Sequence, residues 1–490
     1  MLDDYSLLNI FYLFRPAIFD GDEGYFDSIE GGRAWDRERW WYKLAQVCQR
    51  WRDVLLGSPS HLNLCLVCTF GTPVADMLAH SPPFPLVIDY FRNDRNITTE
   101  DEEGIVLALE RHDRIRRIRL QTPDSKLLQK FIVDIDEEYP LLEYLIMQPL
   151  DWGDGTALKL PESFQAPRLR HLMVIGFAFP IGSQLLPNAS SIVTLCLKVN
   201  HPDAYFKPNT LLQWISSMPQ LETLVISYFV SIPNRDVERH SLVTQITPHI
   251  TLPNLRFFVL EGVSAYMEAV LRRITAPRLE KFDLWYFKQL TFSVPRLQQF
   301  MSTAKTLRFD SAKFEFRRAN VYAGVYLREE IDIAQVKMIP LLIVVHTRHL
   351  DWQVSSVAQI FNSLSQVFST VENLTLEHSD HSLSSEEHNE VDRSEWRKLL
   401  GSFGKAKTLR VGDGLVKEVS HSLRLEDGEE SEDPLELLPE LQSLIYSGIG
   451  DPGDAADAFT PFIDARQISG HPVTLVRPDA RPATPEIWDW

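Results

Sequence analysis

A short pattern of apolar residues recurs along most of the chain. An apolar residue is followed by two variable positions, a second apolar residue, one variable position and a third apolar residue, usually just after a proline or a small polar turn. Successive side chains of a strand point to opposite faces, so the second and third apolar residues enter one core. The pattern therefore predicts a series of strands. Its copies begin at Ile115, Leu142, Leu169, Ile192, Leu221, Leu255, Leu279, Ala304, Val371, Ala406 and Leu441.

The spacing of these copies indicates a repeat protein. Most copies begin 23 to 35 residues after the previous one, close to the about 20–29 residues of a leucine-rich repeat. The longest interval, of 67 residues between Ala304 and Val371, contains the apolar run 339–345, which predicts an additional buried strand. One such strand cannot bury its apolar face alone, whereas stacked neighbours can. We therefore predict an α/β fold, a leucine-rich-repeat-like solenoid with a curved parallel sheet and outer helices.

Helical patterns fill the segments between the predicted strands. Thr99 and Glu102 have the spacing of a capping box at the start of the first of these helices. Further helices are predicted over 209–219, 294–304, 354–370 and the stretch from residue 455. Additional strands are predicted over 62–68, 85–89 and 473–476.

One departure from the leucine-rich consensus leaves an alternative open. The asparagine or cysteine expected shortly after the third apolar position is nearly absent, and Phe177, Phe229 and Phe287 occupy its place. Without an asparagine ladder, the turns must satisfy their backbone groups in another way. A less regular α/β fold with similar local units is the alternative interpretation.

Two amphipathic helices are predicted before the first strand. Residues 2–11 place apolar side chains behind Asp3 and Asp4, which suit a helix start. Residues 40–57 repeat apolar side chains at three- and four-residue spacing and end at Gly57. Two short helices cannot bury both apolar faces between themselves, so they need either the end of the solenoid or another protein.

Composition and charge narrow the class of partner. The chain of 490 residues is 44% hydrophobic and 24% charged, which is ordinary for a globular protein with a large core. Lys and Arg number 49 against 67 Asp and Glu, a formal net charge of −18. A field of that sign repels phosphate backbones and anionic lipids, so we expect neither nucleic acid nor a membrane surface as the partner.

The location is predicted from cysteine usage and from the N-terminus. Four cysteines are too few for a disulfide scaffold, which fits a reducing compartment. The N-terminus is acidic where a signal peptide is basic, and no apolar run approaches the roughly 20 residues that span a bilayer. We predict a soluble protein of the cytoplasm or nucleus.

The sequence offers little for catalysis or metal binding. Cys65 and Cys68 form a C-x-x-C without a second pair, and strand alternation places their thiols on opposite faces, so packing is favoured over zinc. His378, His381 and His388 lie among acidic residues in a polar segment without periodicity, which favours a loop. No phosphate-binding glycine loop or nucleophile motif is present. We expect no enzyme, no cofactor and no metal.

The first 60 residues resemble an F-box. L-x-D-x-x-L-L-x-I-F at the N-terminus is followed by L-A-x-V-C-x-R-W-R, a form similar to that of large families of fungal F-box proteins with irregular leucine-rich repeats. Residues 62–68 and 72–90 resemble the first repeat units of that group. Two features depart from it. Asp3 stands where the family has proline, and the long acidic insertion 19–39 replaces a short link, either as a loop or as a segment that weakens partner docking.

The resemblance implies a substrate-recognition subunit of an SCF-type cullin–RING ubiquitin ligase. The helices would bind the adaptor that leads to the cullin, and the repeats would bind a target protein. The alternative is a repeat scaffold that binds a protein partner without any ligase, its helical pair capping the solenoid. The residues that the resemblance assigns to the adaptor are Leu2, Leu7, Leu8, Ile10, Phe11, Leu44, Val47, Cys48 and Trp51.

The target is expected on the concave face of the solenoid. The third, fifth and seventh positions of each unit point away from the core, and Trp, Tyr and Arg are the side chains that most often anchor interfaces. Trp285, beside Tyr286, is the strongest candidate; the alternative is that such residues only solvate the sheet. The expected target-binding residues are Arg117, Arg119, Tyr144, His171, Lys281, Asp283, Trp285, Arg308 and Asp310, with Lys198, Glu377 and Arg410 on the same face.

These inferences divide the chain into three predicted parts. An F-box-like segment covers 1–60, the solenoid covers 61–477, and a proline-rich tail covers 478–490. Trp488 and Trp490 fit two interpretations of the tail, one docked onto the body and one mobile.

Overall fold

A computed structural model describes most of the chain. The described residues are 2–15, 39–91, 95–150, 157–180, 183–228, 249–287, 289, 291–304, 306–327, 339–378, 391–424, 436–446 and 452–476. The predicted tail, and all of the acidic insertion except Arg39, lie outside them. The described residues fall into two compact units. The first comprises residues up to Phe206 with 213–221 and Tyr228, and the second comprises 207–212, 222–227 and the residues from His249 onward. The predicted boundaries at residues 60 and 477 stay a prediction.

Among the described residues, four helices open the first unit: α1 (Asp4–Phe14), α2 (Trp40–Ala45), α3 (Gln49–Gly57) and α4 (Pro59–Leu62). The carboxylate of Asp3 caps α1 by accepting a hydrogen bond from the Ser6 N–H at 2.7 Å. The prediction of one helix over 40–57 is wrong. The backbone is extended at Cys48, whose sulfur accepts a hydrogen bond from the Trp51 N–H, and the helix starts anew. The three- and four-residue spacing of apolar residues continues unchanged across Cys48, so periodicity could not reveal the break.

In the described part of the first unit, six strands form a parallel sheet in chain order. Each pairs with the next: β1 (Leu66–Cys68), β2 (Leu86–Tyr90), β3 (Ile115–Thr122), β4 (Tyr144–Pro149), β6 (His171–Ile175) and β8 (Thr194–Val199). β5 (Leu158–Lys159) and β7 (Phe177–Ala178) make a separate parallel pair. The helices between them are α5 (Val74–His80), α6 (Thr99–Leu109) and α7 (Ser125–Val133), with short 3₁₀ turns at His112–Arg114 and Pro202–Ala204.

Two predicted boundaries in this unit are corrected. β1 is shorter than the predicted strand 62–68, because α4 is helical and Asn63 adopts a left-handed conformation with φ 57°. The capping box of α6 is Thr98 with Asp101, one residue before the predicted Thr99 and Glu102. Asp101 is buried and also accepts a hydrogen bond from the Gly71 N–H at 2.8 Å, which fixes the start of the helix.

The second unit contains a larger mixed sheet. Its strands are β9 (Thr223–Tyr228), β11 (Phe257–Gly262), β13 (Lys281–Tyr286), β14 (Ser311–Phe316), β15 (Asn320–Tyr326), β16 (Leu341–His346), β17 (Asn373–His378), β18 (Thr408–Val411), β19 (Ser443–Tyr446) and β20 (Thr474–Val476). β10 (Ile250–Thr251) and β12 (Ile274–Thr275) form a separate parallel pair. α8 (Pro208–Ser216) is divided between the two units. The other helices are α9 (Ser264–Leu271), α10 (Pro295–Thr303), α11 (Leu350–Ser363), α12 (Arg393–Gly401), α13 (Val416–Leu423) and α14 (Pro452–Ile468), and Asp413–Leu415 is a 3₁₀ turn.

The prediction of a wholly parallel sheet fails in the 67-residue interval. The predicted extra strand is present as β16, parallel to β13. Between β16 and β17, however, lies a hairpin of β14 and β15, and β15 runs antiparallel to both of its neighbours. The strand predicted from Ala304 is absent. Residues 306–310 are not in a strand, and β14 begins only at Ser311. The other ten copies of the apolar pattern coincide with strands.

Helices cover one face of each sheet. Phe258 of β11 and Phe282 of β13 stack at 5.3 Å, and Phe300 of α10 packs on Phe282 at 5.2 Å. Further along, Phe314 of β14 meets Phe361 of α11 at 4.8 Å. The strand residues that alternate with these buried ones form the opposite face, which we call the open face of each unit.

Candidate functional site

The N-terminal helices are held against the edge strand of the first sheet. The indole N–H of Trp41 donates to the Cys65 carbonyl at 3.2 Å, and the Arg39 guanidinium donates to the Val67 carbonyl and to the Thr72 hydroxyl, both at 3.1 Å. An edge strand otherwise leaves such carbonyls without a partner in the sheet. Side chains of the helical segment therefore end the sheet at β1.

A small apolar interior holds these helices together. Leu7 and Phe11 of α1 are buried, and the Phe11 ring meets Trp51 of α3 edge-on at 5.0 Å. Arg50 also donates to the Asp4 carboxylate at 2.8 Å. The prediction that Leu7 and Phe11 contact the adaptor is corrected, because a buried side chain has no surface to offer. Of the other predicted adaptor residues, Leu2, Val47 and Cys48 are exposed, and Leu8, Ile10, Leu44 and Trp51 are half-buried.

Exposed apolar side chains are concentrated on the same helices. In the described part of the chain, eleven large apolar side chains are exposed, and six of them belong to residues 2–47. Leu13 is 82% exposed and Val47 59%. Monomeric proteins seldom leave large apolar areas in water. The six residues, which we call the N-terminal apolar surface, are Leu2, Tyr5, Tyr12, Leu13, Phe14 and Val47.

The open face of the first unit brings three predicted residues into one row. The Arg117 guanidinium lies 4.5 Å from the centre of the Tyr144 ring, which stacks on His171 at 4.1 Å and 13°. His171 Nδ1 is 3.1 Å from the Thr194 hydroxyl. These four residues are direct cross-strand neighbours in β3, β4, β6 and β8. We call them the Arg117 row; its first three side chains are all half-buried.

A buried carboxylate lies beside the Arg117 row. Asp89 of β2 pairs with Arg119 of β3 at 3.1 Å, and both side chains are largely buried. Burial raises the pKa of Asp89, while Arg119 and, more weakly, Arg117 oppose that shift. One carboxylate therefore faces two guanidinium groups. The Arg119 guanidinium also lies over the Phe91 ring at 5.0 Å.

The open face of the second unit is centred on Trp285. Its ring meets Tyr322 edge-on at 6.1 Å and lies 5.8 Å from His346. Leu342 and Val344 are buried beside it. Glu261, the cross-strand neighbour of Trp285, accepts a hydrogen bond from Ser227. The predicted anchor thus lies in an apolar cluster with a polar border.

Charged pairs flank this cluster on both sides. Lys281 and Asp283 form a buried pair at 3.3 Å. On the other side, Lys313 pairs with Glu377 at 2.7 Å and lies 3.9 Å from Glu315. The predicted Glu377 is therefore already neutralised within the sheet, as are Lys281 and Asp283.

Asp283 gives this face a measurable pH dependence. Burial raises the pKa of Asp283 to about 6, against the opposing effect of Lys281. The folded chain therefore holds a proton between about pH 4 and pH 6 that the unfolded chain has lost, so this carboxyl contributes stability at low pH that is lost as pH rises. We expect the unfolding free energy of the unmodified chain to fall relative to Asp283→Asn, by up to about 3 kcal/mol, between roughly pH 4 and pH 7.

Urea unfolding of both proteins across that range checks the prediction. Asn cannot titrate, so the difference between the two proteins isolates the Asp283 carboxyl. A difference that does not change with pH would contradict the placement of this carboxyl in the interior.

Arg308 and Asp310 do not join the second open face. Both precede β14, and the Asp310 carbonyl accepts hydrogen bonds from the backbone of Glu372 and Asn373. Arg308 is exposed and lines a cleft of about 830 Å³, together with Met301, Leu307, Phe309, Leu327 and Val367. The predicted open-face position of Arg308 and Asp310 is wrong, because the strand begins later than the apolar pattern indicated. Lys198 and Arg410 lie on strands and are half-buried.

Within the described ranges, the residues form no cluster of three or more His, Cys, Asp or Glu that could hold a metal ion. Of the predicted histidine cluster, His378 ends β17, whereas His381 and His388 lie outside the described residues. Cys65 and Cys68 are both buried, and burial raises the pKa of Cys68 to about 12. None of the helices described has the length and apolarity needed to cross a membrane.

Comparison with known proteins adds little to this architecture. No family model matches the sequence, and no curated protein is similar to it. Among solved structures, the leucine-rich repeat-containing protein LegL7 from Legionella pneumophila is 11% identical, over 84% of this chain and 99% of that one, with a TM-score of 0.25. The class of the protein therefore rests on its own strands and helices. It is a leucine-rich-repeat-like α/β protein.

Sequence reasoning missed the two side chains that end the sheet. Arg39 falls within the predicted acidic insertion 19–39, and Trp41 falls near the start of the predicted helix 40–57. A tryptophan pair just before an amphipathic helix was the available signal, because a buried indole N–H needs an acceptor.

Proposed function

We propose that this protein is the substrate-recognition subunit of an SCF-type cullin–RING ubiquitin ligase. Its N-terminal helices bind the adaptor, and the open faces of its sheets bind a target protein. The proposal combines the F-box resemblance of the sequence with one structural observation, the N-terminal apolar surface.

The N-terminal helices have one side in contact with the rest of the chain and another side in solvent. Leu7 and Phe11 fill the interior of the helical segment, and Trp41 and Arg39 attach it to β1. These contacts involve the sides of the helices that face each other and β1. Leu13 and Val47 remain in solvent, so their burial requires another molecule. At roughly 25 cal/mol for each Å² of apolar surface buried, several such side chains supply a sizeable share of a binding energy.

Co-expression with the adaptor tests the proposal. The unmodified chain is expected to co-purify with the adaptor as one complex, and the double variant Leu13→Asp with Val47→Asp is expected to lose it. Ile468→Asp is the matched control, because Ile468 is 88% exposed on α14, in the second unit. The control should form the complex as the unmodified chain does. Failure of the unmodified chain to bind the adaptor would reject the ligase role.

The alternative function is a repeat scaffold without a ligase. The observation that favours it is the same attachment of the helices to β1, since a helical segment that satisfies edge carbonyls is sufficient as a cap. The scaffold would still bind a partner through its open faces. An unmodified chain that remains free of the adaptor would support this alternative.

A further inference from the structure

We infer that the open face of the first unit binds a peptide segment rich in aspartate or glutamate. The inference deepens the proposed function and rests on it, because it names the chemistry of the target. Its basis is the Arg117 row together with Asp89, Arg119 and Lys198.

The charge of this face is opposite to that of the whole chain. The described strands of the first open face carry Arg117, Arg119 and Lys198, with His171 beside them, and Asp89 as the one acidic residue. The chain as a whole has 49 basic and 67 acidic residues. A locally basic strip on an acidic protein attracts an anionic segment and repels most others.

The basic groups are spaced for an extended chain. Arg117 lies on β3 and Lys198 on β8, three strand spacings away in the order β3, β4, β6, β8. Arg117 is in line with Thr194 of β8, and Lys198 lies four residues further along that strand. At about 4.8 Å per strand spacing and about 3.3 Å per residue, the two are roughly 20 Å apart, the length of about six extended residues. A single small carboxylate cannot contact both ends, whereas a peptide can.

The Arg117 row is already organised for such a ligand. Tyr144 holds the Arg117 guanidinium by its ring face, and His171 supports Tyr144 from the other side. A guanidinium held in one position loses little conformational freedom when a carboxylate binds it with two hydrogen bonds. The row therefore favours recognition by geometry as well as by charge.

Asp89 favours a carboxylate over a phosphate. Its carboxyl pairs with Arg119 at 3.1 Å and interacts more weakly with Arg117. A phosphate group carries nearly two negative charges at neutral pH and would meet stronger repulsion from Asp89 than a carboxylate would. Arg117 and His171 both lie against the Tyr144 ring, so this ring is not free to stack on nucleic-acid bases.

Fluorescence anisotropy with the full chain tests the inference. The probe is a labelled peptide of alternating Glu and Ser, compared with the same peptide carrying Gln for Glu and with one carrying phosphoserine for Glu. The Glu peptide should bind, and the Gln peptide should not. Arg117→Gln should weaken binding about tenfold, and Lys198→Gln should also weaken it, whereas Lys126→Gln on α7 removes one exposed cation and should not.

Three results would overturn the inference. They are equal binding of the Glu and Gln peptides, an equal loss with Lys126→Gln and Arg117→Gln, and tighter binding of the phosphoserine peptide than of the Glu peptide. Circular dichroism of each variant separates lost contacts from lost folding. The test is independent of the ligase role, since no adaptor is present: Arg117→Gln should keep the adaptor complex, and the Leu13 and Val47 double variant should keep the peptide.

Discussion

Replacing Phe361 by alanine is expected to lower the free energy of unfolding of the second unit by about 4 kcal/mol. Phe361 is fully buried on α11. Its ring lies 4.8 Å from Phe314 and from Phe368, and 5.8 Å from Phe403. Truncation removes the contacts of one ring with three others and leaves a cavity that such a cluster cannot close.

Urea unfolding followed by far-UV circular dichroism measures the effect. Trp352→Ala is the control, because Trp352 is an aromatic residue of the same helix and is 39% exposed. The control should change the free energy of unfolding by less than about 1 kcal/mol. Similar losses in the two variants would mean that this cluster is not the core of the unit.

The position of Phe361 explains why the effect should be large. Phe314 belongs to β14, the strand of the inserted hairpin that pairs with β17. Phe361 therefore joins a hairpin to the helix that covers it, and within the described strands this hairpin is where the sheet departs from its parallel order.

The apolar pattern was sufficient to predict most of the strands. In a repeat with one strand and one helix, as from Ile192 to Thr223, buried and open-face side chains alternate along the strand. This alternation is visible directly in the sequence. The Arg117 row was predictable for the same reason: strands that pair in register place equivalent positions of each unit side by side. Arg117, Tyr144 and His171 are adjacent because each occupies the third position of its unit.

The hairpin was not predictable from the same pattern. Residues 304–309 have the apolar spacing of a strand, yet Phe309 packs on Phe368 and the strand begins at Ser311. The spacing of apolar residues indicates which side chains are buried. It does not indicate whether the backbone of those residues pairs with another strand. The direction of β15 depends on pairing with β16, about 20 residues later in the chain, and a single sequence holds no direct signal of such a partner.

The exposed residues of the N-terminal apolar surface were predicted in part. The resemblance to an F-box placed apolar residues of α1 at an adaptor surface, but it did not separate the side chains that hold the helices together from those left in solvent. Phe11 and Leu13 are both large and apolar, and only their positions around the helix, set by contact with Trp51, decide which one is exposed. The residues of the N-terminal apolar surface therefore could not be identified without knowing how α1 packs against α3.

Trp41→Ala is expected to release the N-terminal helices from the edge of the first sheet, with a loss of about 3–5 kcal/mol. The Trp41 ring is buried against Phe84 and Tyr42, and its N–H donates to the Cys65 carbonyl. Trp41→Phe keeps most of the ring contacts and removes only the hydrogen bond, so its loss should be about 1 kcal/mol. The two variants thus separate the contribution of ring packing from that of the hydrogen bond to the Cys65 carbonyl at the edge of the sheet.

Hydrogen exchange of the α1 and α3 amides, measured beside urea unfolding, checks where the loss occurs. In Trp41→Ala these amides should exchange faster, while those of α7 should be unchanged, because only the helical segment is attached through Trp41. Tyr12→Ala removes an exposed aromatic residue of α1 and should leave both sets unchanged. Slow exchange of α1 in Trp41→Ala would show that the helices hold their place without the edge contact. The N-terminal apolar surface would then owe its fixed position to Arg39 and the other contacts with β1.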